Sequence, residues 1–201
     1  MGSEPSGEVY LAPTVRTAVK VLVLGPFAVG KSTFVGTLSE IPPLYTEETI
    51  TRTGAVADDP HGISGKTTTT VALDFGRRTL NDRLVLYMFG TPGQRRFLSL
   101  WEDLAYGSLG ALVLADIARI EESFEIIGVL EERGMPYAVA INDFRNAEMP
   151  PDEELREAFD LLPEVPLVTC DARERDSAAR AMISLVEHVL SVCPQQSQES
   201  A

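Results

Sequence analysis

The sequence predicts an α/β protein: a three-layer sandwich in which helices cover both faces of a six-stranded, mainly parallel sheet with one antiparallel edge strand. Three observations carry this. Short apolar runs of β-forming residues alternate with segments of helical spacing along the 201 residues, the pattern of parallel strands joined by crossover helices. Two neighbouring runs are separated only by a polar turn, which makes a hairpin and sets one strand against the direction of the others. The first run ends in a glycine-bounded loop that leads directly into a helix.

That first run is Val19–Leu24, and the loop is Gly25-Pro26-Phe27-Ala28-Val29-Gly30-Lys31-Ser32, a full G-x-x-x-x-G-K-[ST] phosphate loop in strand-loop-helix context. Gly25 lets the chain turn sharply off the strand, and Gly30 lets the backbone approach phosphate oxygens where a Cβ would obstruct. Successive N–H groups, and the opening turn of the helix over Lys31–Ile41, then offer unpaired donors and a dipole to an anion. Lys31 adds a point charge for the outer phosphates, and the Ser32 hydroxyl can complete the octahedral shell of a Mg²⁺ held by them. The chain is expected to bind a nucleoside phosphate.

The hairpin joins Val71–Phe75 to Leu84–Phe89 through the polar turn from Arg77 to Arg83. Further strands at Ala111–Ala115, Tyr137–Ile141 and Pro166–Thr169 alternate with helical segments at Arg95–Tyr106, Glu121–Arg133, Asp152–Leu162 and Asp176–Val192. Ligands of such sheets bind at the carboxyl ends of the strands, where the phosphate loop sits. From Pro42 to Thr69 no element is clear, and only a weak extra strand is suggested within Ile50–Ala57. A stretch of that length is functional or mobile. It holds the turn formers of Asp58–Gly65, then Lys66 and the threonines 67–70, one of whose hydroxyls could cap a metal and sense a terminal phosphate. Past the hairpin, Gly90-Thr91-Pro92-Gly93-Gln94 supplies a second sensor: a glycine N–H for the γ-phosphate and a glutamine to orient water.

With 44% hydrophobic and 23% charged residues, the chain can bury one core. The expected domain is 17–193, between a flexible segment 1–16 and a flexible tail 194–201. The formal charge is −13, and residues 119–164 hold 13 acidic against 4 basic side chains, a surface that repels nucleic acid and anionic membranes. Cys170 and Cys193 are too few for a disulfide framework, no signal-peptide core opens the chain, and no run approaches the roughly 20 apolar residues of a membrane span. A cytoplasmic location is expected.

The phosphate loop, Thr-x-x-x-Asp-Phe at Thr70–Phe75 and Gly-x-x-Gly-Gln-x-x-Phe at Gly90–Phe97, in that order, resemble the Ras-like small GTPases over about residues 18–192. The wording Gly-Lys-Thr-Thr-Thr-Thr-Val-Ala-Leu-Asp-Phe-Gly and Leu-Tyr-Met-Phe-Gly-Thr-Pro-Gly-Gln is similar to the prokaryotic branch of MglA-like and conservon D (CvnD-type) ATP/GTP-binding proteins. The resemblance implies a P-loop NTPase of small-GTPase topology, acting as a Mg²⁺-dependent GTP/GDP switch with slow hydrolysis. It further implies regulation by a roadblock/LC7-type dimer and recruitment through a membrane-associated, sensor-kinase-like complex. It assigns the phosphates to Lys31 and the loop residues Gly25, Phe27, Ala28, Val29, Gly30 and Thr33, and Mg²⁺ to Ser32 and Thr70. Gly93 would read the γ-phosphate, and Gln94, with Lys31, would serve catalysis by positioning water. Asn142, Phe144 and Ala172 would hold the base.

Three positions depart from that pattern. Gly90 stands where small GTPases have the aspartate that orders Mg²⁺ through water. Phe27 replaces a loop glycine close to the γ-phosphate, where bulk should slow hydrolysis. In Asn142-Asp143-Phe144-Arg145, Arg145 replaces the aspartate that accepts from guanine, setting a pure donor against donors; Asp143 or Asp171 could supply the acceptor. The alternative function is therefore a pseudo-GTPase or nucleotide-binding scaffold without turnover; an ATP-using phosphotransferase is disfavoured by the absence of an arginine-rich lid. His61 and His188 are isolated, Trp101 reads as core, and Asp176-Ser177 reads as a helix cap.

Overall fold

In a computed structural model, the chain is described at residue 11 and residues 13–42, 44–52, 67–91, 104–143 and 149–192, with backbone alone for 44–52 and 67–72. All six expected strands form. They are β1 (Thr17–Leu24), β3 (Thr67–Thr79), β4 (Leu84–Gly90), β5 (Gly110–Ala115), β6 (Tyr137–Asn142) and β7 (Leu167–Cys170), with β2 (Leu44–Arg52) as a seventh. Their order across the sheet is β2-β3-β4-β1-β5-β6-β7. Parallel pairing joins β4, β1, β5, β6 and β7, while β3 runs antiparallel to both β4 and β2.

The added strand sits where the sequence offers no clear element. Leu44-Tyr45-Thr46-Glu47-Glu48-Thr49-Ile50-Thr51-Arg52 has β-branched and aromatic residues but two adjacent glutamates, so it lacks an apolar run. It pairs through its backbone, Leu44 opposite Phe75 and Arg52 opposite Thr67, as an outer strand can when charge decorates it. The reversed strand β3 is consequently one place in from the edge.

Each strand of the sheet centre is apolar on both faces, as a covered parallel sheet requires. Val21 and Val23 of β1 join Leu112, Leu114, Ala138 and Ala140 under helices α1 (Lys31–Leu38) and α4 (Arg175–Val192), which bury Phe34, Val35, Met182 and Leu185 there. Leu22 and Leu24, one residue out of phase, join Val113, Val139 and Ile141 under α2 (Glu121–Glu132) and α3 (Asp152–Ala158), through Ile126, Ile127, Leu130 and Leu155. The three-layer sandwich follows from this period-two division.

Helix α1 stops at Ser39 rather than Ile41. Ser39 is extended, and its hydroxyl accepts from the N–H groups of Ile41 and Arg77, both at 3.2 Å, drawing the chain onto β3. Glu40 completes that clasp, accepting from Arg77 Nε at 3.0 Å and from the N–H and hydroxyl of Thr79 at 2.8 and 2.7 Å. The predicted helix at 95–106 falls largely outside the described residues. No described helix is long and apolar enough to cross a membrane.

Candidate functional site

The loop between β1 and α1 takes a path that an ordinary chain resists. Gly25 has φ 140° and Gly30 φ 103°, and Ala28 is held at φ 62°, in the left-handed region that favours glycine. A Cβ on Gly25 would stand 2.3 Å from the Leu114 carbonyl oxygen, and one on Gly30 2.6 Å from Asn142 Nδ2. Both glycines are thus fixed by space as well as by torsion. Val29 anchors the loop by full burial, while Phe27 is 66% exposed at its mouth.

Lys31 opens α1 and folds back over the loop. Its Nζ donates to the carbonyls of Gly25 at 2.8 Å and Pro26 at 2.6 Å. Burial pulls the ammonium down to about 8, against the opposing pull of the Asp74 carboxylate. A cation so placed is held by weak dipoles and is ready to exchange them for phosphate oxygens. Beside it, Ser32 Oγ donates to Asp74 Oδ2 at 2.5 Å.

A second group of bonds ties the loop to the other end of the sheet. Asn142, at the end of β6, donates through Nδ2 to the Val29 carbonyl at 2.8 Å and accepts at Oδ1 from the Ala172 N–H at 2.9 Å. The Ala172 N–H is therefore engaged within the protein in this conformation. Asp171 accepts from the Arg173 N–H and Nε at 2.9 Å and from Nη2 at 2.7 Å, hydrogen bonds that hold its carboxyl down to about 2. Ser177 accepts from the Asp171 N–H at 3.0 Å, so it fastens this turn, and α4 begins ahead of it at Arg175. Burial pushes the neighbouring Cys170 thiol up to about 12, which leaves it unreactive.

On the far side of the loop, Asp116 follows β5 and is 2% exposed. It accepts from Arg119 Nε at 3.2 Å, and the same guanidinium reaches the Phe27 carbonyl through Nη2 at 3.5 Å. The sequence reading missed this brace, since its partners lie far apart in the chain.

The expected phosphate residues Gly25, Phe27, Ala28, Val29, Gly30, Lys31, Ser32 and Thr33 are thus gathered at one end of the sheet, with Asn142 and Ala172 beside them. Gly93, Gln94, Phe144, Arg145, His61 and Trp101 lie outside the described residues. Thr70 is on β3, opposite Thr49. Asp74 is the β3 residue at Ser32, and Thr70 stands four residues further, about 13 Å along an extended strand. In the sequence, Asp74 stands out only as part of the Thr-x-x-x-Asp-Phe motif. The signal was available: a turn centred on Asp82 sets Asp74 opposite Gly90, as observed.

The donors at Ser32 and Asp74 are hard oxygens, the kind Mg²⁺ takes when phosphates supply its other ligands. No group of three or more His, Cys, Asp or Glu suited to a metal stands among the described residues, and a cation brought with phosphates needs none.

Comparison with known proteins agrees with this geometry. The model of a family described as conserved hypothetical ATP binding protein matches residues 23–192. An uncharacterized protein of Methanocaldococcus jannaschii, MJ1339, is 36% identical over 129 residues, 63% of this chain and 71% of that one. A putative ABC transporter ATP-binding protein of Streptomyces avermitilis is 31% identical over 130 residues, 61% of this chain but 20% of that protein. Among solved structures, the G domain of the T. maritima FeoB iron transporter superposes with a TM-score of 0.57 at 16% identity, covering 86% of this chain and 99% of that domain. At that identity the likeness concerns the fold.

Proposed function

The chain belongs to the conserved hypothetical ATP binding protein family, and from that premise we propose that it is a Mg²⁺-dependent switch that binds GTP or GDP and hydrolyses GTP slowly. The family supports nucleotide binding, on a fold like that of a G domain. The observation that carries it to a mechanism is Lys31, buried over the loop carbonyls, where burial lowers its pKa to about 8 and leaves it a cation at neutral pH. An incoming triphosphate replaces two carbonyl acceptors with charged oxygens, which stabilises the cation further.

When bound, Mg²⁺ supplies charge neutralisation between the outer phosphates. Ser32 would hold it from the loop, and Thr70 would reach it only by leaving its place opposite Thr49, which is how a third phosphate would be sensed. Gly93 offers its N–H to that phosphate, and Gln94 orients the attacking water. Phe27 crowds the same place, which supports slow turnover. By resemblance the protein is of the MglA-like or CvnD type, is regulated by a roadblock/LC7-type dimer, and meets a sensor-kinase-like complex at the membrane from the cytoplasm.

One observation favours a second reading, a scaffold with relaxed base choice and no turnover. Arg145 is a donor where guanine needs an acceptor, and Asp171 is held by Arg173. Mass spectrometry of nucleotide released from the purified protein, followed by titration with GTP, GDP and ATP, separates the two. Guanine nucleotides are expected to be found and to bind more tightly; equal affinity for ATP removes guanine specificity. Phosphate release is expected to be slow and to fall further in Gln94→Ala, while absence of turnover even with a partner leaves the scaffold.

A further inference from the structure

We propose that Asp74, reaching across from β3, is the carboxylate that orders the bound Mg²⁺ in place of an aspartate at position 90. This rests on the metal-dependent nucleotide site described above.

The argument begins with the hairpin register. Asp74 and Gly90 are directly paired on antiparallel strands, so their side-chain positions project to the same face of the sheet. A Cβ built on Gly90 would stand 2.9 Å from Asp74 Cβ and 3.0 Å from Asp74 Oδ2. The space that a side chain at 90 would enter is already filled by the Asp74 carboxyl. The two positions exclude one another: an acid on β4 requires a small residue on β3, and here the arrangement is reversed.

The partner of that carboxyl fixes its role. The Ser32 hydroxyl gives its proton to Asp74 Oδ2 at 2.5 Å, which leaves its lone pairs for a phosphate-held cation to take one. Oδ1 accepts no hydrogen bond among the described residues and can accept from a water of the cation's shell, several of which Mg²⁺ retains. With Asp74 only 9% exposed and Lys31 within its electrostatic reach, the carboxylate is fixed in place rather than sampling solvent. It is a positioning residue: it orients Ser32 and a water and does not touch the nucleotide. The glycine at 90 is then a requirement of the site rather than a defect in it.

The test titrates Mg²⁺ against the purified protein with a fluorescent nucleotide, and Mn²⁺ by electron paramagnetic resonance as a readout independent of turnover. Asp74→Asn keeps the shape and can still accept from Ser32. It is expected to raise the Mg²⁺ concentration for half-saturation about 10–100-fold, the usual loss when the partner that orients a metal ligand is removed. Gly90→Asp alone is expected to weaken metal use, because it collides with Asp74. The exchange Asp74→Gly with Gly90→Asp is expected to recover most of it, so the same change at 90 harms one background and helps the other. An Mg²⁺ dependence unchanged in Asp74→Asn, or an exchange no better than Asp74→Gly alone, overturns the proposal while the metal-dependent site stands. Wild-type binding that ignores both Mg²⁺ and a chelator overturns the metal reading and this inference together, and Lys31→Ala then reports separately whether the loop holds nucleotide at all.

Discussion

Lys31 decides more of the site's behaviour than any other side chain, because its charge is strained before ligand arrives. Its pKa lies at about 8 in the folded protein against an ordinary 10.5. The sign follows from linkage. A depressed pKa contributes stability that is complete above the unfolded value of 10.5 and is lost as the pH falls through about 8, so the ligand-free protein is more stable, relative to a Lys31→Met variant, in alkali than at neutral pH. Nucleotide affinity runs the other way. A phosphate needs the cation, so above about pH 8 binding must take up a proton and should weaken by up to about tenfold per unit. Titrations across that range check both slopes, and an affinity flat through pH 8 to 10 would sink this account of Lys31. Gly30 gives a second residue-scale expectation. With φ 103° and a Cβ that would meet Asn142 Nδ2 at 2.6 Å, Gly30→Ala should cost about 1–3 kcal/mol in thermal or denaturant unfolding and reduce nucleotide affinity with it.

At the scale of elements, Asn142 links three of them: the loop before α1, the end of β6 and the turn after β7. Its amide satisfies one buried acceptor at Val29 and one donor at Ala172. Asn142→Ala leaves both backbone groups unpaired, at about 1–3 kcal/mol each, and Asn142→Asp, which keeps the acceptor for Ala172 but sets a carboxylate oxygen against the Val29 carbonyl, should also lose stability. Denaturant melts of the two variants without nucleotide read the losses, and a melt of Asn142→Ala equal to that of the wild type would show that the brace contributes nothing. The six strands and the phosphate loop were legible because each is announced locally, by an apolar run or by glycines at fixed offsets. The strand β2 was suggested only weakly, from Ile50 onward, because Glu47 and Glu48 interrupt the apolar pattern ahead of that residue. The Asn142 brace and the Arg119 contact to Phe27 were hidden for a different reason: they join residues that only the sheet order brings together. Asp74 lies between these cases. Its residue type and the turn were both visible, and what remained was to carry the register of the hairpin through to Gly90.

For the whole molecule, the net charge of −13 opposes an anion, so phosphate binding depends on local donors such as Lys31 rather than on the protein's overall field. Ligand that binds only the folded form stabilises it by mass action, about 2.7 kcal/mol at one hundred times the dissociation constant. For a domain of 150–250 residues, each kcal/mol moves the melting temperature by about 2–4 °C, so saturating nucleotide should raise it by about 5–11 °C. Lys31→Ala should show no such rise, because the loop then lacks the cation that meets the phosphates. The identity of the best stabiliser tests the base side of the site in the same measurement: GTP and GDP are expected to exceed ATP, the margin set by whichever carboxylate replaces the acceptor missing at Arg145. If ATP stabilises as strongly as GTP, the Asn142 and Ala172 region holds a base without choosing it. If no nucleotide shifts the transition of the intact chain, the loop's positive-φ glycines and its buried lysine do not form a phosphate site, and the switch reading falls with them.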